Sequence, residues 1–160
     1  MQDLEGRLAR LERDVAILND QQALRALLSA YAVAVDDHEP SALRALFTSD
    51  ARVSIPAWQV EEQGVDAVMA FYDRYWARYQ RPRRYFANED TRIEGDEART
   101  FMYWHVTQES GANSVLGWGT YDWQFRRVDG AWRIAGVLIS ILAMTTLAAG
   151  WAGEAKFSDG

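Results

Sequence analysis

The chain has 160 residues, 49% of them apolar, and a formal net charge of −6, which fits one domain with a buried core and argues against disorder. The acidic balance argues against a nucleic-acid groove. The lack of cysteine excludes a disulfide framework, a thiolate nucleophile and a cysteine-based metal site, and two histidines, His38 and His105, are too few for a histidine cage.

Leu4, Leu8, Leu11, Val15 and Leu18 step by four and three, a short heptad-like seam. A helix over 1–18 is predicted there. Two turns of seam do not stand alone, so it packs on its own domain or on a neighbouring subunit. Asn19 or Asp20 reads as the cap of a second helix running to about Asp37. On it Leu24, Leu27, Leu28, Tyr31 and Val35 recur at helical spacing and form one buried face. Asp36 and Asp37 end that stripe, and Pro40 closes the helix. A carboxylate in the last turn meets the negative end of the helix dipole. An acid placed there is solvated, paired or functional.

Ser41 is predicted to cap a short third helix through Phe47. Residues 50–55 alternate as a strand that Pro56 stops, and 58–63 read as a loop. From Gly64 to Tyr79 the pattern is helical, with Val65, Val68, Met69, Tyr72, Trp76 and Tyr79 on one face. After Arg81-Pro82-Arg83-Arg84 the period changes to two. Strands follow over 85–94, 98–108, 114–128 and 131–142, separated by Gly95-Asp96, Gly111 to Asn113 and the hairpin signal Asp129-Gly130. The tail, 143–160, with Leu147, Trp151 and Phe157, is expected to fold over the domain.

This order predicts a single α+β domain over 1–160, with N-terminal helices packed on one face of a curved, mostly antiparallel sheet. A sheet that curls around its helices leaves a cone, and its open end is a natural pocket. The longest apolar run, Ile134 to Leu142, is too short to span a bilayer, and the charged start has no apolar signal core. A soluble, cytoplasmic protein without membrane or nucleic-acid partners is expected.

Seven Trp and seven Tyr are many for this length. Trp58, Tyr72, Trp76, Trp104, Tyr121 and Trp123 fill a core or wall a pocket for a flat apolar ligand. Gln108 and Thr107 could orient it. Tyr31 lies near the face of Asp36 and could hydrogen-bond a substrate oxygen. Arg84 and Tyr85 alternate on a strand, so one of them faces the cone. Arginine stays protonated, so inside the cone it would pair with Asp36 or hold an oxyanion. His105 stands mid-strand as a candidate acid–base partner or a subunit contact.

Several short segments in order carry a resemblance. They are Tyr31 to Asp36, then Ala45-Leu46-Phe47-Thr48-Ser49-Asp50-Ala51, Ile93-Glu94-Gly95-Asp96-Glu97-Ala98, Gly119-Thr120-Tyr121-Asp122-Trp123 and Arg127-Val128-Asp129-Gly130-Ala131-Trp132-Arg133-Ile134. Together they resemble the nuclear transport factor 2-like cone fold in its SnoaL-like branch, close to scytalone dehydratase, bile-acid 7α-dehydratase and hexachlorocyclohexane dehydrochlorinase. The resemblance implies a cone-shaped α+β barrel and a lyase without cofactor or metal. It would act on a small hydrophobic, aromatic or polycyclic hydroxylated substrate, as a homo-oligomer, trimer or dimer. Asp36 falls on the dehydratases' acid and Tyr31 on the tyrosine before it. The family's general-base histidine falls on Arg84, or on Tyr85 with a one-residue gap, and a further polar position falls on Val106. Without that histidine, cleavage leaving an alkoxide or phenolate, such as retro-aldol loss of a small aldehyde, fits better than plain dehydration. Isomerase- or polyketide-cyclase-type proton transfer and a non-catalytic binding module are the alternatives.

Overall fold

The computed structural model describes the backbone of residues 2–152 and the side chains of residues 4–152; Phe157 lies outside the described residues. The first two predicted helices are one, α1, Gln2–Asp36. Asn19-Asp20 does not interrupt it because Asp20 turns its carboxylate away from the helix backbone. It accepts from Arg127 Nη2 (2.9 Å) and Trp132 Nε1 (3.0 Å) instead. Burial on α1 begins at Leu24, whereas Leu4, Leu8, Leu11, Val15 and Leu18 stay exposed. The seam therefore does not pack on its own domain among the described residues.

The end of α1 is set by backbone geometry. His38 is left-handed (φ 57°), and the Glu39 N–H donates back to Ala34 O at 2.8 Å, a Schellman closure with histidine in the usual glycine place. The His38 ring stacks on Trp76 at 4.3 Å, and Trp76 Nε1 donates to Val35 O at 2.8 Å. Pro40 opens the next helix, α2, Pro40–Leu46, where its missing N–H costs nothing. Ser41 is not the cap; Glu39 holds that position without a side-chain bond.

Strand β1, Phe47–Ile55, begins three residues before the predicted start. The predicted loop after Pro56 is a 3₁₀ turn, Pro56–Trp58, and a short strand, β2, Val60–Gln63, paired antiparallel with β1. The helix α3 spans Val65–Arg78. Four long strands follow: β3, Gln80–Glu94; β4, Glu97–Ser110; β5, Asn113–Val128; and β6, Ala131–Thr146. Each runs further than its alternation suggested. The last four residues of β6, counted above with the tail, pair with β5 up to Val115–Thr146.

The six strands form one open sheet in the order β2-β1-β6-β5-β4-β3, antiparallel except where β1 meets β6. The helices cover its concave face. Bulges give the curvature. Between β5 and β6 the register shifts near Trp118/Gly119 and Gln124/Phe125. The inward side chains of β6 accordingly switch from Trp132 and Ile134 to Val137, Ile139 and Ile141, and then to Met144. Gly117 and Gly119 let the Trp104 indole lie against β5: a Cβ on Gly119 would come within 1.8 Å of Ser140 O and 3.0 Å of Trp104. β3 is an edge strand with bulges near Arg81 and Asn88, both at positive φ.

Candidate active site

β3 leaves alternate backbone N–H groups pointing away from β4, because nothing pairs on its outer edge. At Arg84 that donor meets the C-terminal turn of α1. The Arg84 N–H donates to Asp36 Oδ2 at 2.8 Å, and its Nε donates to Asp36 Oδ1 at 2.6 Å. The side chains of Arg84 and Asp36 are 6% and 9% exposed, so the pair is little screened by solvent. Both carboxylate oxygens thus hold Arg84, and Arg83 Nη1 donates to the Asp36 main-chain oxygen at 3.0 Å. The carboxylate stands behind the guanidinium, not on the cavity wall.

From there Arg84 reaches into the cone. Nη2 donates to the Tyr75 hydroxyl at 3.2 Å, and Nη1 lies 3.5 Å from the Tyr31 hydroxyl. Tyr31 and Tyr72 share a hydrogen bond of 2.9 Å, and Tyr75 donates to Gln108 Oε1 at 2.6 Å. Tyr121 completes a ring of phenols around one cation. Burial pushes all four hydroxyls, Tyr31, Tyr72, Tyr75 and Tyr121, above their ordinary range, and the opposing pull of Arg84 does not cancel it. They stand as neutral O–H donors at neutral pH. Burial disfavours the charge on Arg84, but Tyr75, Tyr31, Tyr121 and Asp36 outweigh it, and its affinity for its proton rises.

The rest of the wall is apolar: Ile55, Trp58, Phe71, Trp104, Val106, Ile139, Ile141 and Met144. The space inside is narrow, about 40 Å³ for water centres. A wider recess of about 290 Å³ lies outside it, between the Trp58 turn and α3. Trp58, Phe71 and Tyr75 line both and form the partition between them. Among the described residues no three His, Asp or Glu side chains converge as a metal-binding group.

Of the sequence candidates, Tyr31, Trp58, Tyr72, Arg84, Trp104, Val106, Gln108 and Tyr121 meet around this cavity. Asp36 touches it only through Arg84. Trp123 is 1% exposed and lies behind the wall, its ring 4.8 Å from Tyr31 and 4.9 Å from Tyr121. Trp76 sits under His38. Tyr85, 64% exposed, and His105 face each other on the outer side of the sheet. That placement rules both out of the cavity, because strand alternation sends Arg84, Trp104 and Val106 inward and their neighbours outward. Tyr75, Phe71, Ile139, Ile141 and Met144 were not singled out. Tyr75 had one usable signal, its place one turn after Tyr72 on the same helix face.

No curated protein matches the chain. Among solved structures it is similar to the type-2 hexachlorocyclohexane dehydrochlorinase LinA, with 20% identity, a TM-score of 0.78, and coverage of 92% of this chain and 99% of that one. LinA-type3 from Novosphingobium barchaimii LL02 is similar at 19% identity and TM-score 0.77, covering 91% and 99%. A protein provisionally assigned as scytalone dehydratase, from Novosphingobium aromaticivorans DSM 12444, is similar at 20% identity and TM-score 0.74, covering 80% and 87%. Identities this low establish the shared cone-like α+β fold, here with an open sheet. The SnoaL-like domain model matches residues 16–137, from the middle of α1 to Val137 within β6, and so takes in the Asp36–Arg84 pair and all four cavity phenols. The chain belongs to the SnoaL-like domain family.

Proposed function

We propose that the protein is a cofactor-independent lyase for a small aromatic substrate carrying a hydroxyl, and that it works by holding a developing oxyanion. One observation carries this reading: a buried guanidinium, fixed from behind by Asp36, faces an apolar cavity through a ring of neutral phenols. A fixed cation and preformed O–H donors in a water-poor site favour a step that leaves negative charge on oxygen. Loss of a small aldehyde together with water from a 1,3-diol is such a step. One hydroxyl, held by Arg84, departs with its bonding pair, and the broken carbon–carbon bond supplies the new alkene. The other hydroxyl becomes the aldehyde while its proton passes through Tyr31 or Tyr75 to the departing oxygen, which leaves as water. Simple loss of water is the related step. Arg84 would hold the oxygen on which charge collects. Tyr31 and Tyr75, already bound to Arg84, would donate to it or return a proton. Trp58, Tyr72, Trp104, Val106 and Tyr121 would clasp the ring. Asp36 would act as a positioning residue and not as a general base, since both its oxygens are engaged.

The inner space is too small for an aromatic ring. The guest would occupy cavity and recess together, with the Phe71 ring of the partition turned aside while Tyr75 keeps its bonds to Arg84 and Gln108. The outer sheet face, with Tyr85, Phe101, Tyr103, His105 and Leu142 around one shallow apolar depression, would serve a homo-oligomer. A non-catalytic binding module is the second reading, and the engagement of Asp36 in an ion pair favours it.

The test is turnover of phenolic 1,3-diols, with released aldehyde trapped as a hydrazone and dehydrated product read by mass. Wild-type protein should turn over at least one such diol, and Arg84→Met should lose about 10²–10³-fold in kcat. Binding without turnover, or an Arg84→Met variant at full rate, would refute the lyase reading.

A further inference from the structure

Among the described residues the side-chain donors Trp58 Nε1, Gln108 Nε2 and Trp123 Nε1 are buried without a hydrogen-bond partner. Two of them, on Trp58 and Gln108, belong to residues of the cavity wall. A buried donor without a partner costs about 1–3 kcal/mol, so two at one cavity call for an explanation.

Gln108 stands at the end of a chain of hydrogen bonds that starts at Arg84. Arg84 has donors and no acceptor. Its Nη2–H must therefore donate to the Tyr75 oxygen, 3.2 Å away. The Tyr75 hydroxyl in turn donates to Gln108 Oε1, 2.6 Å away. In this arrangement Arg84 gives, the Tyr75 hydroxyl receives and gives, and the amide oxygen of Gln108 receives. Gln108 is 4% exposed, so no bulk solvent satisfies the NH₂ group that remains. The amide NH₂ of Gln108 is thus the end left over.

We propose that Gln108 and Trp58 form an acceptor-recognition subsite: their N–H groups receive a second, neutral oxygen of the ligand, a carbonyl or ether, while Arg84 and the phenols hold the first. The inference deepens the reading above by naming the substrate class as an aromatic with a hydroxyl and a separate acceptor oxygen. It is a statement about binding, so a protein without lyase activity could still satisfy it. Gln108 and Trp58 are specificity residues and take no part in bond breaking.

The experiment measures dissociation constants for two matched probes by quenching of tryptophan fluorescence. The probes are 4-(4-hydroxyphenyl)butan-2-one and 4-butylphenol, which share the phenol and a four-carbon chain and differ by one carbonyl. Wild-type protein should prefer the ketone by about tenfold, the worth of one to two good hydrogen bonds. Trp58→Phe should reduce the preference. Tyr75→Phe combined with Gln108→Leu, which removes both ends of their bond and orphans neither, should reduce it as well. In both variants a single cooperative urea transition shows that the fold is intact. The ratio of the two dissociation constants is the readout, because Trp58 and Tyr75 also line the cavity that receives the phenol the probes share. Equal affinity of wild type for the two probes, binding of neither, or an undiminished preference in both variants would overturn the proposal. The lyase assay is read separately, and its failure leaves these ratios unchanged.

Discussion

Breaking the Asp36–Arg84 pair from either side separates its structural worth from its functional worth. Asp36→Asn leaves a buried guanidinium facing phenols, and its amide cannot accept from both the main-chain N–H and the Nε–H of Arg84. Arg84→Met leaves a buried carboxylate in the last turn of α1, against the helix dipole. Both side chains are under 10% exposed, so solvent screening gives little relief. Each single change should cost about 3–5 kcal/mol. In a protein of this size that lowers Tm by on the order of 10 °C. Asp36→Leu with Arg84→Met removes both charges and fills similar volume, so it should recover part of that loss. The remaining deficit of about 1–3 kcal/mol comes from the residue-84 main-chain N–H left without an acceptor. Urea unfolding of the four proteins gives the cycle, and the diol assay gives turnover on the same samples. The doubly apolar variant should be stable and inactive. Single variants losing less than about 1 kcal/mol, or a double variant less stable than either single, would refute the account of the pair. A stable double variant with full turnover would remove Arg84 from the mechanism.

The four cavity phenols set the alkaline behaviour. Their folded-state pKa values are raised above the ordinary value of 10.0, so the unfolded chain gives up these protons first. They leave stability unchanged below pH 10 and reduce it as the pH climbs from there toward the folded values. Absorbance at 295 nm should show these four of the seven tyrosines missing from the titration until the protein unfolds; four early-titrating cavity phenols would contradict their burial. Gly119→Ala places a methyl group on the main-chain oxygen of Ser140 and should cost about 3 kcal/mol in urea unfolding, because backbone cannot step aside as a flexible side chain can. A loss below about 0.5 kcal/mol would mean that the β5–β6 bulge adjusts freely.

Periodicity made the sheet and the helix faces readable, since Leu24 to Val35 and the alternation of β4 translate directly into burial. Boundaries were less readable where a distant partner overrides a local signal. Asp20 looks like a cap until Arg127 and Trp132, more than a hundred residues away, claim its carboxylate. Val60–Gln63 is too short and too polar to read as a strand until β1 is beside it. The cavity was partly readable, because alternation separates Arg84 from Tyr85 once the strand is set. What Asp36 would face was not readable, because it depends on an edge-strand N–H meeting a helix end. Gln108 was noticed as a polar residue among aromatics, but its place at the end of a bond chain exists only through Tyr75 and Arg84.

The margins of the sheet decide how copies of this chain can meet. One margin, β2, is four residues long and carries Glu61 and Glu62. The other, β3, is kinked at Arg81 and Asn88 and ends in charged side chains from Glu89 to Glu94. Neither offers a long, flat ladder of unpaired amides, so strand-by-strand growth into a fibril has no template. Self-association is left to surfaces made of side chains, whose shape can limit the number of copies that join.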